Sequence, residues 1–108
     1  MEITLDTRTQ ELVREYIPDR ITLRAIANFF SCLSDSTRVK LLSALSISPM
    51  CVSDLTEMLA LNQTTVSHQL KTMREGGLID YQRDGKVLTY YVSQPKILDV
   101  LLSVTEII

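Results

Sequence analysis

Asn62-Gln63-Thr64-Thr65-Val66-Ser67-His68-Gln69-Leu70-Lys71-Thr72-Met73-Arg74-Glu75-Gly76-Gly77 is the stretch whose reading decides the fold. On a helical wheel Val66, Leu70 and Met73 fall within one narrow stripe, which predicts a helix laid against a core. The opposite side carries Thr64, Thr65, Ser67, His68, Lys71 and Thr72, all short or hydrogen-bonding, with one of them charged. A helix face that only meets water normally carries more charge, whereas these side chains suit base edges and phosphates. Asn62 can accept from the free amides of the first turn, and Gly76-Gly77 offers the positive φ that ends a helix.

Moving outward, Val52 to Ala60 reads as a helix burying Val52, Leu55 and Leu59, separated from the first by a short Ala60-Leu61-Asn62 corner. The pair is a helix-turn-helix, predicted over 52–76. Upstream, Thr4 to Tyr16 forms a first helix with Asp6 or Thr4 near its start, broken by Pro18-Asp19. Ile21 to Leu33 is the second, with Leu23, Ile26, Ala27, Phe30 and Leu33 on its buried side. Asp35, within Ser34-Asp35-Ser36-Thr37, caps a third through Arg38, Val39, Leu41, Leu42 and Leu45.

After Gly77 the period changes from that of a helix to that of a strand. Leu78 to Arg83 and Lys86 to Val92 flank Asp84-Gly85, a pair favoured where a two-residue hairpin turn needs positive φ. That turn sets Arg83 opposite Lys86 at the tip and aligns Ile79 and Tyr81 with Leu88 and Tyr90 on one face. Two cations facing each other repel unless something anionic sits between them. The last helix, entered through Pro95, is too apolar for a surface element: Ile97, Leu98, Val100, Leu101, Leu102, Val104, Ile107 and Ile108 cover nearly its whole circumference. One copy can cover only part of it, so a two-fold dimer is expected, with 95–108 and 1–17 as the dimerisation helices.

A chain of 108 residues fits one domain, here 1–108, with a mainly helical fold and one β-hairpin over 78–92. The sequence has no signal-like start and no apolar run of the roughly 18 residues that would span a bilayer, so a cytoplasmic protein without a membrane partner is expected. Two cysteines, Cys32 and Cys51, are too few for a disulfide framework. The formal net charge of -2 argues against a generic polyanion binder, because Lys and Arg supply most DNA affinity. Distribution softens the objection: Gln63 to Gln94 holds four basic residues against three acidic, whereas Met1 to Asn62 holds six against eight. Two recognition helices about 34 Å apart in a dimer would also double the contacts. No glycine-rich phosphate loop, metal-ligand cluster or paired nucleophile and base is present, so no enzyme and no cofactor are expected. His68 points away from the apolar stripe and has no catalytic partner in the pattern.

At Leu33-Ser34-Asp35-Ser36-Thr37-Arg38, Cys51-Val52-Ser53-Asp54-Leu55, Thr65-Val66-Ser67-His68-Gln69-Leu70-Lys71 and Gly76-Gly77-Leu78-Ile79, the chain resembles the ArsR/SmtB family of bacterial dimeric repressors. Arg83 to Tyr91 is similar to that family's wing. The resemblance spans roughly Ile21 to Val92. It implies a homodimeric winged helix-turn-helix of order α1-α2-α3-α4-α5-β1-β2-α6, bound to double-stranded operator DNA and released by an inducer. It makes Gln63, Thr64, Thr65, Ser67, His68 and Lys71 the groove-facing set, with Arg83 and Lys86 on phosphates. It also places soft-metal thiolates at Cys51, Ser53 and Thr56, of which only the first is a cysteine here, and one thiolate cannot build a trigonal or tetrahedral sulfur site. Zinc-type sites of the family use Asp and His along the last helix, which here has no His. No metal is therefore expected. The signal is left to a thiol response at Cys51, perched where a helix N-terminus favours negative charge, alone or together with Cys32, to a non-metal inducer, or to no ligand at all, the repressor being governed by its abundance. A winged-helix protein-interaction module without DNA binding is the alternative.

Overall fold

The computed structural model describes residues 2–108. The chain divides into two units, Met1–Phe30 and Ser31–Ile108. In the first, both helices begin on an aspartate. α1 (Thr7–Tyr16) is capped by Asp6, whose carboxylate accepts from the Thr9 amide at 2.7 Å and is held below its usual range by that bond. The helix starts at Thr7 and not at Thr4 because Asp6 takes the cap. α2 (Arg20–Cys32) repeats the device with Asp19 and the Thr22 amide, again at 2.7 Å, and ends inside the second unit. The burial expected for Leu23, Ile26, Ala27 and Phe30 is not found. Among the described residues of this unit none is buried, and Ile21 and Phe30 are 83% and 55% exposed. An apolar stripe shows which residues gain from burial; it does not guarantee that their own chain supplies the cover.

In the second unit α3 (Ser36–Ile47) is capped as expected by Asp35, which accepts from the Thr37 and Arg38 amides at 2.8 and 3.1 Å. Leu41, Leu42 and Leu45 of this helix join Leu55, Val66, Leu70, Met73, Ile79 and Ile97 in the core. A two-residue strand, β1 (Met50–Cys51), leads directly into α4 (Val52–Leu59). Leu55 is buried, whereas Val52 and Leu59 are half-buried and not the full core residues expected. The helix stops at Leu59 because Ala60 enters the left-handed region at φ 54, ψ 45, a conformation that costs an alanine roughly 1–2 kcal/mol. Asn62 then caps α5 (Gln63–Glu75) through the Thr65 amide at 2.7 Å.

The glycine pair that ends α5 divides the work. Gly76 has φ −78 while Gly77 has φ +79. A Cβ on Gly76 would stand 3.5 Å from the Cys32 sulfur, an ordinary contact. Gly77→Ala should therefore destabilise the protein by about 1–2 kcal/mol, whereas Gly76→Ala should cost nothing or stabilise by about 0.4–1 kcal/mol. Urea unfolding at one protein concentration measures both, and equal costs would contradict this division of roles.

The hairpin is built from β2 (Ile79–Asp84) and β3 (Val87–Val92), but its turn is Gly85-Lys86 and its register pairs Asp84 with Val87, Arg83 with Leu88 and Tyr81 with Tyr90. The expected opposition of Arg83 and Lys86 is corrected. An Asp84-Gly85 turn of the primed type would need positive φ at both residues, and only Gly85, at φ +63, has it. A glycine first in the loop is the type II′ arrangement. The slip preserves which residues share a face, so Ile79, Tyr81, Leu88 and Tyr90 remain together. β1 adds a third strand, pairing Met50 with Tyr90 and Cys51 with Thr89, and gives the sheet order β1-β3-β2. α6 (Lys96–Ile107) buries Ile97 but leaves Leu102 54% and Ile107 83% exposed. Among the described residues no helix is long and apolar enough to cross a membrane.

Candidate nucleic-acid interface

Three side chains of α5 set the direction of all the others. Val66, Leu70 and Met73 are fully buried, which turns Gln63, Thr64, Ser67, His68 and Lys71 into solvent. Thr65 and Thr72 lie on the flank of that face and are half-buried; the Thr72 hydroxyl donates to the His68 carbonyl at 3.2 Å. Among the described residues neither the His68 ring nor the Lys71 ammonium has a hydrogen-bond or ion-pair partner within the chain, so both are available to a ligand.

Arg83 and Lys86 are exposed at the end of the hairpin, the first across from Leu88 and the second inside the turn. Lys86 lines an open hollow of about 310 Å³ together with Gln63, Cys51, Val52, Ser53, Val87 and Leu88. The hollow brings the start of α5, the start of α4 and the hairpin tip around one space. A neighbouring hollow of similar size is lined by Val52, Ser53, Thr56, Glu57 and Gln63, and the Thr56 hydroxyl is buried without a partner.

Two arginines were not anticipated. Arg74, in the last turn of α5, pairs with Asp80 of β2 at 2.9 Å, and its guanidinium lies 4.2 Å from the centre of the Tyr81 ring. Tyr81 in turn meets Tyr90 edge to face at 5.5 Å. The Arg74 hydrogen bond holds the Asp80 carboxyl below its usual range, so this brace persists while Asp80 is ionised and is lost as pH falls through its lowered value. The pair links the end of the helix to the first strand of the hairpin. A sequence signal existed, since Arg74 and Asp80 straddle the chain reversal at Gly76-Gly77. The second, Arg38 of α3, donates from Nε to the Gln69 side-chain oxygen at 2.9 Å and from Nη1 to the Cys32 carbonyl at 3.0 Å. Nothing in a single sequence announces a contact of that separation.

Both cysteines are free and half-buried. Cys51 is the cap residue of α4, with its amide and its sulfur each 3.2 Å from one Asp54 carboxylate oxygen. Cys32 closes α2. Among the described residues no three His, Cys, Asp or Glu side chains come together as metal ligands.

Known proteins are similar to this chain in sequence and in fold. The model of the arsR family of bacterial regulatory proteins matches residues 35–81, from the cap of α3 into the hairpin. A transcriptional repressor SmtB homolog of Synechocystis is 32% identical over 99 residues, which are 89% of this chain and 75% of that protein. An arsenical resistance operon repressor of Staphylococcus aureus is 30% identical over 81 residues, 75% of this chain and 78% of its own. The homodimeric winged helix-turn-helix DNA-binding domain of a Mycobacterium bovis protein superposes with a TM-score of 0.71 at 20% identity, covering 98% of this chain and 89% of that one, a likeness of fold. The sequence matches, which run through both the capping motif and the polar face of α5, extend over most of the chain: it belongs to the arsR family of bacterial regulatory proteins.

Proposed function

We propose that the protein is a homodimeric repressor that inserts the outer face of α5 into the major groove of an operator. The observation that carries this reading is the orientation of α5: an apolar stripe at 0% exposure leaves Gln63, Thr64, Ser67, His68 and Lys71 facing outward, nearly uncharged. Such a face reads base edges, while Arg83 and Lys86 suit flanking phosphates. The dimer is supported by the uncovered apolar residues of α6 and by the homodimeric state of the Mycobacterium bovis domain. With a net charge of -2, affinity for random DNA should be modest, and base contacts carry the specific part.

The test uses a duplex that the wild-type chain selects from a randomised pool. Lys71→Ala or His68→Ala should weaken binding to that duplex about tenfold, a loss of about 1.4 kcal/mol per contact. Arg83→Ala or Lys86→Ala should weaken all duplexes about equally and reduce the salt slope by about one per lost phosphate contact. Binding unchanged in all four variants would favour a winged-helix module that contacts proteins instead.

For the releasing signal we propose a thiol reaction or a non-metal inducer, since the thiolate positions at Ser53 and Thr56 carry hydroxyls. If Cys51 is the sensor, Cys51→Ser should abolish release from DNA by oxidant and leave resting binding intact. Continued release would move the role to Cys32 or to an inducer.

A further inference from the structure

Buried Val66, Leu70 and Met73 set which side of α5 faces the core, but apolar contact leaves small rotations of the helix cheap, because the hydrophobic effect has no direction. A rotation of about 10° carries side-chain tips, about 5–6 Å from the axis, through about 1 Å. That is enough to break a hydrogen bond, whose length varies by only about 0.5 Å. Directional bonds hold such an angle: Arg74 joins the C-terminal end of α5 to Asp80, and a second bond reaches the middle of the helix. Among the described residues, the bond from Arg38 to Gln69 joins side chains 31 residues apart, while every other side-chain pair so bonded lies within six. Gln69 sits in the middle of α5, between exposed His68 and buried Leu70.

The other end of the strut is anchored. Arg38 Nη1 donates to the carbonyl of Cys32, the last residue of α2. That carbonyl is one of those a helix C-terminus leaves without an internal partner, and a cation there also meets the negative end of the helix. The guanidinium is planar and can donate in two directions at once, which a lysine ammonium does not reproduce with fixed geometry. Next to it the Cys32 sulfur stands 3.5 Å from the Cβ position of Gly76, so the end of α2 meets α5 at its C-terminus as well.

We propose that Arg38 is a positioning residue for DNA recognition: through Gln69 it sets the rotation of α5, and through the Cys32 carbonyl it refers that rotation to the end of α2. The inference rests on the DNA reading above. Its consequence is that Arg38 governs discrimination between sequences without touching a phosphate.

The experiment measures wild type, Arg38→Met, Gln69→Met and the double variant on the selected duplex and on a random-sequence duplex across a salt series. Each single variant should lose about tenfold on the selected duplex, with random-duplex affinity and salt slope unchanged. The double variant should be no weaker than Arg38→Met, because both changes cut one link. A shallower slope in Arg38→Met would make it a phosphate contact, additive losses would make Gln69 an independent base contact, and wild-type affinity in Gln69→Met would remove the link; each overturns the proposal. Should Arg38→Met not fold, Arg38→Lys keeps the charge but not the fork and should show the same tenfold loss at an unchanged slope. A wild-type chain that enriches no duplex overturns the DNA reading and this inference together, whereas variants that match a binding wild type overturn the inference alone.

Discussion

Leu102→Asp combined with Ile107→Asp should leave the chain folded, turn it into a monomer, and cost at least a hundredfold in affinity for the selected duplex. Both side chains are more than half exposed in the single chain, 54% and 83%. Their replacement in an isolated copy is therefore a surface change, worth within about 0.5 kcal/mol. In a dimer that covers α6, the same change would bury four carboxylates without partners, which an interface of ordinary strength does not survive. The affinity loss follows from valency: tethering a second recognition helix multiplies the first one's binding by roughly 10²–10⁴. Sedimentation of the variant, together with titration of the selected duplex, decides the matter. A variant that remains dimeric would place the interface elsewhere, and a monomer with full affinity would mean that one helix is enough.

The second large effect is on stability. Leu70→Ala should cost about 2–5 kcal/mol, because Leu70 is fully buried and the cavity left behind adds to the lost burial. For a domain of this size, that lowers the melting temperature by roughly 4–8 °C per kcal/mol. Protein concentration must be held fixed, since a dimer's stability depends on it. Thr64→Ala, on the exposed side of the same helix, should change stability by less than about 0.5 kcal/mol. The contrast between two residues six apart on one helix is the measurement. A cost below about 1 kcal/mol for Leu70→Ala would mean that this side of α5 is not held against a core.

How much of this could be read beforehand varied with the range of the interaction. The α5 stripe, the Asn62 and Asp35 caps and the terminal Gly77 were legible, because each depends on residues within one or two turns. The uncovered α6 was legible from composition alone. The hairpin register was not, since Asp84-Gly85 and Gly85-Lys86 both satisfy a two-residue turn and only the backbone decides between them. β1 left no trace because two residues carry no period. The expected interior of α2 failed for a different reason: periodicity identifies a face and is silent about which molecule meets it. Of the face read as outward on α5, Gln63, Thr64, Ser67, His68 and Lys71 are exposed and Thr65 and Thr72 are half withdrawn to its flanks. The Arg38 to Gln69 bond was out of reach because it depends on how α3 and α5 cross.

The sheet order leaves β2 at the edge, with an unpaired row of backbone groups from Ile79 to Asp84. An open edge of that length would recruit strands from other molecules and seed aggregates unless something discourages them. Asp80, Gln82, Arg83 and Asp84 make the segment charged or polar at four of its six positions. Their mixed signs also spare the hairpin a large field of one sign. A projecting hairpin is thus kept from adding strands of its own kind to its open side.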